Sequence, residues 1–110
     1  MTVRYIKEDK LLIMELQEEI DHHISEKIRR RADYEIQRYM PKKAIFDFSS
    51  VTFMDSAGIG LIIGRYKLLS LIGAKLEIIN VTPTVERILE ISGIRKLIPG
   101  IGEKNEKYLW

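Results

Sequence analysis

The chain contains no cysteine. This absence excludes disulfide bonds and thiolate chemistry, and it fits a reducing compartment. Histidine is scarce as well, with only His22 and His23 present. Because adjacent side chains point in different directions on a helix or turn, this pair is poorly placed to share a metal ion or relay a proton. The sequence therefore predicts no metal site, and we interpret both histidines as structural.

Long apolar runs and a strong net charge are also absent. The longest apolar run, around Leu68 and Leu69, is interrupted by Lys67, Ser70 and Gly73, and no charged-then-apolar leader opens the chain. We therefore expect a cytoplasmic protein that neither enters a membrane nor is exported. Eighteen basic and sixteen acidic residues give a formal charge of +2, which is too balanced to predict direct nucleic-acid binding.

The composition and the order of patterns predict one α/β domain over residues 1–110. At 110 residues with 45% apolar side chains, the chain can bury a single core. Two β-like runs, residues 2–7 and 11–16, are separated by a short polar stretch and predict a hairpin. Later strands are expected at residues 44–48 and 75–80, and they alternate with helical patterns. Such alternation predicts a mixed, mostly parallel sheet that opens with the antiparallel hairpin and packs against helices.

Three helices are predicted between these strands. The first ends before Pro41, since apolar residues recur every four positions at Ile24, Ile28, Ala32, Ile36 and Met40. The second spans residues 57–72 and stops at Gly73, whereas Thr82 and Pro83 begin the third as N-cap and first helical residue, with Gly93 at its end. We expect a short helix or a frayed end at residues 103–110.

The segment Phe53-Met54-Asp55-Ser56-Ala57-Gly58-Ile59-Gly60 lies where a strand pattern gives way to a helical one. Ser56 is thereby placed at a helix N-terminus, where unpaired N–H groups and the helix dipole would favour a phosphate. Asp55 could cap the helix, bias the hydroxyl proton or repel a phosphate once it is attached. On the residues alone, a serine at this position is more often a helix cap than a phosphorylation site.

Two enzyme classes were compared with this segment. A serine hydrolase needs glycine two positions before its nucleophile and a histidine base, but Met54 occupies that position and only His22 and His23 are available. The glycine, lysine and hydroxyl pattern of a P-loop nucleotide hydrolase does not occur either. The sequence therefore predicts a protein that is not an enzyme.

Three ordered motifs identify a family resemblance. They are Ile20-Asp21-His22-His23; Asp55 to Gly60 continued by Leu61-Ile62-Ile63-Gly64-Arg65-Tyr66-Lys67; and Val85-Glu86-Arg87-Ile88-Leu89 followed by Ile91-Ser92-Gly93-Ile94. Together they resemble the STAS domain family, in particular its anti-sigma factor antagonists of the sporulation sigma-F type. The resemblance covers nearly the whole chain. The family usually has glycine three residues before the aspartate, where this chain has Glu18, so the turn before Asp21 is not predicted in detail.

The resemblance implies a phosphorylation switch. An unmodified antagonist binds the anti-sigma factor, which is itself a serine kinase, and the sigma factor is released; the kinase then phosphorylates the residue matched by Ser56, and a serine phosphatase resets the switch. Ala57 lies where many relatives carry a second hydroxyl, so one acceptor is expected here. Asp21 matches the family aspartate beside this serine at the partner surface, and it is also a candidate N-cap. No cofactor is implied, although weak nucleotide binding, associated with STAS folds, stays open.

The second helix also predicts a docking face. Ile62, Tyr66 and Leu69 form one stripe, assigned to the core, while Gly60, Gly64, Lys67 and Leu71 lie roughly opposite. Because glycine costs an exposed helix about 1 kcal/mol relative to alanine, the two glycines indicate a close approach, either by a partner or by another element of the same fold. The resemblance favours a partner. The expected partner-binding residues are Asp21, Asp55, Ser56, Ala57, Gly58, Ile59, Gly60, Gly64, Ser92, Gly93 and Ile94.

An alternative function is a stand-alone STAS module that serves another signalling assembly, or binds a small ligand or nucleotide, with no sigma factor downstream. The matches at Asp21-His22-His23 and at Gly64-Arg65-Tyr66-Lys67 favour the sporulation branch over this alternative.

Overall fold

The computed structural model describes residues 1–17, 19–99 and 101. The expectations for Glu18 and for residues 103–110 lie outside the described residues. No helix within the described ranges is long and apolar enough to cross a bilayer. The strands and helices follow one another along the chain in this order: β1 (Thr2–Ile6), β2 (Leu11–Glu15), α1 (His22–Tyr39), β3 (Lys43–Asp47), α2 (Ser56–Leu71), β4 (Lys75–Ile79), α3 (Pro83–Ser92) and α4 (Ile94–Leu97).

The four strands form one mixed sheet in the order β1-β2-β3-β4. Strands β1 and β2 pair antiparallel through a short 3-10 turn, Lys7–Asp9, that is closed by Lys10 in the left-handed conformation (φ 49°). Strands β2, β3 and β4 pair in parallel, because helices α1 and α2 return the chain to the same edge of the sheet between them. The predicted hairpin and the mostly parallel sheet are confirmed.

The helices contribute their buried residues to a core on one face of this sheet. Alternate strand residues such as Leu12, Met14 and Phe46 join that core, whereas Leu11 and Ile45 belong to a smaller apolar cluster. This division follows from the strand period of two, which sends successive side chains to opposite faces. Helix α2 follows β3 along the chain, so Ser56 at its start lies at the edge of the sheet where the parallel strands end.

Helix α1 follows its predicted apolar stripe except at the last position. Ile28, Ala32 and Ile36 are buried, but Met40 is 55% exposed. The expectation that Met40 continues the stripe is wrong, because α1 ends at Tyr39 and Met40 adopts the left-handed conformation (φ 45°) as its C-cap. The left-handed cap directs the chain out of the helix just before Pro41.

Helix α2 is buried on two sides. Ile62 and Leu69 lie in the core as predicted, and Tyr66 is partly buried. Leu61 and Arg65 are also buried, which a single stripe does not predict. They are one turn apart on the side that lines the space between α2 and α1, so they share a second face.

Helix α3 confirms the predicted start and stop. The Thr82 hydroxyl accepts a hydrogen bond from the Val85 N–H, Pro83 is the first helical residue, and Gly93 adopts a left-handed conformation (φ 72°). Gly93 is also the N-cap of the short helix α4, which was not predicted. Helix α4 places Ile94 in the main core.

Candidate functional site

Two backbone hydrogen bonds join the segment before α1 to the segment before α2. The Ile20 N–H donates to the Phe53 carbonyl (3.0 Å), and the Asp55 N–H donates to the Ile20 carbonyl (3.1 Å). Ile20 and Met54 form an isolated parallel bridge, and both side chains are buried. These hydrogen bonds hold Asp21 directly beside Asp55 and Ser56. The structure brings together two of the three motifs that carry the family resemblance.

Each of the two helices begins with an aspartate cap. The Asp21 carboxylate accepts a hydrogen bond from the Ile24 N–H, and the Asp55 carboxylate accepts one from the Ala57 N–H, both at 2.8 Å. The prediction that Asp21 is an N-cap is confirmed. Of the roles considered for Asp55, the structure shows the capping role.

Ser56 is consequently the first residue of α2 and not its cap. Its side chain is exposed, and its hydroxyl makes no hydrogen bond with any other described residue. Ser56 therefore does not cap α2, because Asp55 before it already has that role. The hydroxyl is left accessible at the positive end of α2.

Polar contacts at the end of the sheet fix the loop that joins β3 to α2 and leads to Ser56. The buried Asp47 carboxylate accepts hydrogen bonds from the Ser49 N–H (3.0 Å) and from the Asn80 side chain (3.2 Å). The Thr82 hydroxyl donates to the Val51 carbonyl (3.1 Å). Sequence reasoning missed these positioning residues, although an aspartate at a strand end before Ser49 is a typical Asx-turn signal.

The three glycines of α2 have different surroundings. A Cβ atom built on Gly58 would lie 2.0 Å from Cγ and 2.4 Å from Sδ of Met54, and Gly58 is buried. The side chain of Met54 fills the space beside Gly58, and contact of Gly58 with a partner stays a prediction. A Cβ on Gly60 or Gly64 would meet no described atom within 4 Å. Neither glycine therefore accommodates a neighbouring element of the described fold.

Seven of the predicted residues lie at the N-cap of α1, at the N-cap of α2 or within the first nine residues of α2; they are Asp21, Asp55, Ser56, Ala57, Ile59, Gly60 and Gly64. Asp21, Ser56 and Gly60 are exposed, while the others are partly buried. Phe53 flanks them with a 45% exposed aromatic ring, and sequence reasoning did not assign it a role. We call this group the Ser56 surface; it consists of Asp21, Phe53, Asp55, Ser56, Ala57, Ile59, Gly60 and Gly64.

The Ser92-Gly93-Ile94 turn lies at the C-terminal end of α3. The Thr82 hydroxyl at the other end of α3 donates to the Val51 carbonyl, and a helix of ten residues is about 15 Å long. Ile94 is buried, and its contact with a partner stays a prediction. Partner binding by Ser92 and Gly93 stays a prediction, with no described contact that joins them to the Ser56 surface.

A cavity of about 240 Å³ opens between α1 and α2, next to the Ser56 surface. Neither the cavity nor the burial of Arg65 on its lining was predicted. Its lining residues are His22, Ser25, Glu26, Arg29, Ala57, Gly60, Leu61 and Arg65.

Arg65 pairs with Asp33 of α1. Their Nε and Oδ1 atoms are 2.8 Å apart, yet the contact lacks hydrogen-bond geometry: Arg65 Nε and Nη1 and Asp33 Oδ1 are buried without a hydrogen-bond partner among the described residues. Burial lowers the pKa of Arg65, and the Asp33 carboxylate opposes that lowering. Arginine stays protonated in proteins, so a buried ion pair between Arg65 and Asp33 links the two helices.

Comparisons with known proteins agree with this fold. A model of the STAS domain matches residues 2–107. The anti-sigma F factor antagonist of Paenibacillus polymyxa is 39% identical over 89 residues, which cover 81% of this chain and 76% of that protein. The structure of the anti-sigma factor antagonist SpoIIAA in its unphosphorylated form is 28% identical, with a TM-score of 0.79 over 96% of this chain and 89% of that one. The Bacillus cell fate determinant SpoIIAA in the phosphorylated form is 26% identical, with a TM-score of 0.71 over 96% and 92%. The chain belongs to the STAS domain family.

Proposed function

We propose that this chain is an anti-sigma factor antagonist controlled by phosphorylation of Ser56. The unmodified form binds an anti-sigma factor serine kinase and thereby releases the sigma factor, and phosphorylation ends that binding. The names of the similar proteins support this function, and SpoIIAA is known in both an unphosphorylated and a phosphorylated form.

The observation that carries the proposal is the state of the Ser56 hydroxyl. It is exposed at the first position of α2, and Asp55 satisfies the helix cap in its place. A kinase needs an accessible hydroxyl that is not held by the protein's own hydrogen bonds. The contacts of Asp47, Asn80 and Thr82 fix the loop at Ser49 and Val51, a few residues before Ser56.

The electrostatics of the Ser56 surface explain how one phosphate would act as a switch. The N-terminal end of α2 accepts an anion without rebuilding the backbone. A partner that covers this surface would instead meet about −1.5 to −2 additional charges beside Asp21 and Asp55. Since each 1.4 kcal/mol is about tenfold in affinity, a modest repulsion is enough. A serine phosphatase would restore binding.

In this scheme the chain performs no catalysis. The kinase supplies the chemistry and uses ATP as its own substrate, so the chain needs no cofactor for the switch. Its contribution is an acceptor hydroxyl and a surface that recognises the kinase.

The proposal is tested by incubating the protein with the cognate kinase and ATP and locating the phosphate by mass spectrometry. We expect one phosphate, on Ser56, and none on the Ser56→Ala variant. Ser49, Ser50 and Thr52 are also exposed nearby, so they are internal controls for position. A phosphate on one of these three residues, or an unmodified chain after binding to an active kinase, would contradict the assignment.

A further inference from the structure

Phe53 exposes an aromatic ring on the loop that joins β3 to α2. The residue is 45% exposed, and among the described residues it is the only large apolar side chain exposed on the Ser56 surface. Single exposed apolar residues are ordinary on a protein surface, so exposure alone gives Phe53 no role. The other exposed large apolar residues of the described chain lie on helices or at a helix end; they are Tyr34, Met40, Leu71, Ile91 and Leu97.

The placement of Phe53 distinguishes it from these residues. Met54, the next residue, is buried and forms a bridge with Ile20. Because successive side chains of an extended segment point to opposite sides, Phe53 and Asp55 both lie on the outer side. Asp55 caps α2 directly before Ser56. Three residues span at most about 11 Å, so the Cα atom of Phe53 lies within that distance of the Cα atom of Ser56.

A kinase that docks on Ser56 also covers Phe53. Phosphoryl transfer depends on positioning the acceptor hydroxyl in the kinase active site, so the kinase must contact the surface around Ser56. A protein interface of ordinary size buries about 800 Å² on each partner, which corresponds to a disc with a radius of about 16 Å. An interface centred on Ser56 therefore contains Phe53.

The backbone that carries Phe53 is held in place by the fold itself. The Phe53 carbonyl accepts a hydrogen bond from the Ile20 N–H (3.0 Å), and the Asp55 N–H donates to the Ile20 carbonyl (3.1 Å). The buried side chain of Met54 fixes the same segment from the core side. A ring on a fixed backbone loses little conformational freedom on binding, and aromatic residues are enriched in the buried centre of protein interfaces.

We propose that Phe53 is the apolar anchor through which the Ser56 surface docks on its kinase. The ring would enter an apolar pocket of the kinase beside the active site, where its exposed surface is removed from water. Phe53 has no group that could take part in phosphoryl transfer, so it is a specificity-determining residue that acts on docking and not on the chemical step. This inference rests on the proposed function, which supplies the kinase as the partner.

Steady-state phosphorylation by the cognate kinase with ATP tests this role. In Phe53→Ala we expect the KM for the protein to rise about tenfold while kcat stays within about twofold, because the ground state and the transition state lose the same contact. Tyr34→Ala is the control and should change neither constant. Tyr34 is 59% exposed on α1, about 18 Å along that helix from its first residue, His22.

Phe53→Leu and Phe53→Gln form a matched pair of similar size, which separates apolar anchoring from the filling of space. Calorimetric titration against the kinase without ATP measures docking directly, and thermal unfolding measures the fold. We expect similar melting temperatures for the two variants and an affinity about fivefold or more lower in Phe53→Gln, because only leucine can enter an apolar pocket without burying a polar group.

Three results would overturn the proposal and leave Ser56 as the acceptor. They are an unchanged KM in Phe53→Ala, a fall in kcat alone, and equal kinase affinities of Phe53→Leu and Phe53→Gln. Absence of both phosphorylation and kinase binding in the wild-type protein would instead contradict the proposed function, and the anchoring role of Phe53 with it.

Discussion

The Ser56→Asp variant is expected to bind the anti-sigma factor kinase about a hundredfold more weakly than Ser56→Ala, because a fixed negative charge would enter the docking surface beside Asp21 and Asp55. The hydroxyl itself makes no described hydrogen bond, so its removal in Ser56→Ala should leave both fold and binding nearly unchanged. Titration calorimetry of the two variants against the kinase measures this difference.

Ser56→Asn is the matched control for shape, since asparagine has nearly the size of aspartate without its charge. It should bind almost as well as Ser56→Ala. The difference between Ser56→Asp and Ser56→Asn should also narrow as salt rises, because screening shortens the reach of the added charge. An equal loss of kinase affinity in Ser56→Asn and Ser56→Asp would contradict the electrostatic account and indicate a steric or conformational one. A difference in affinity that does not change with salt concentration would do the same.

Two glycines of α2 should respond in opposite ways to added side chains. Gly64→Leu should lower kinase affinity about tenfold or more, because the side chain fills space that a partner would occupy. Its thermal stability should stay equal or rise, since leucine favours a helix by close to 1 kcal/mol over glycine and no described atom lies near the new Cβ. Gly58→Ala should instead destabilise the fold by about 1–3 kcal/mol, because the buried Met54 must move.

Thermal unfolding and kinase affinity, measured for both variants, separate these outcomes. Gly64→Ala is the control for helix propensity, as it gains most of the helical stabilisation with little added bulk. A large fall in the melting temperature of Gly64→Leu would show that Gly64 packs inside the domain. Unchanged stability of Gly58→Ala would show that Met54 adapts without cost.

The features predicted correctly depend on local chemistry. The hairpin, the parallel strands and the limits of α3 follow from period-two runs, crossover helices and the sequence Thr82-Pro83 with Gly93. Met40 was assigned wrongly because its spacing fits the apolar stripe, while its left-handed backbone depends on where α1 ends. Helix ends are the least certain part of such a prediction. The same one-residue uncertainty explains why Ser56, and not only Asp55, was considered as the cap of α2.

The features that were missed depend on contacts distant in sequence. Arg65 belongs to a residue type that is usually exposed, and only the approach of α1 buries it beside Asp33. Gly58 and Gly60 are two residues apart, yet Met54 packs against one of them alone. No periodicity within α2 contains that information. The docking face stays a prediction, and the burial of two of its members, Gly58 and Ile94, becomes visible only in the folded structure.

Release of the sigma factor is the most direct measurement of the central claim. A preformed complex of the anti-sigma kinase and a fluorescently labelled sigma factor would be titrated with unmodified protein and with protein carrying phosphoserine at position 56, and fluorescence anisotropy would report the sigma factor that becomes unbound. We predict that the unmodified protein releases the sigma factor and that the phosphorylated protein does not. Equal release by both forms would contradict the switch, and no release by either would contradict the antagonist function itself and favour a stand-alone STAS module.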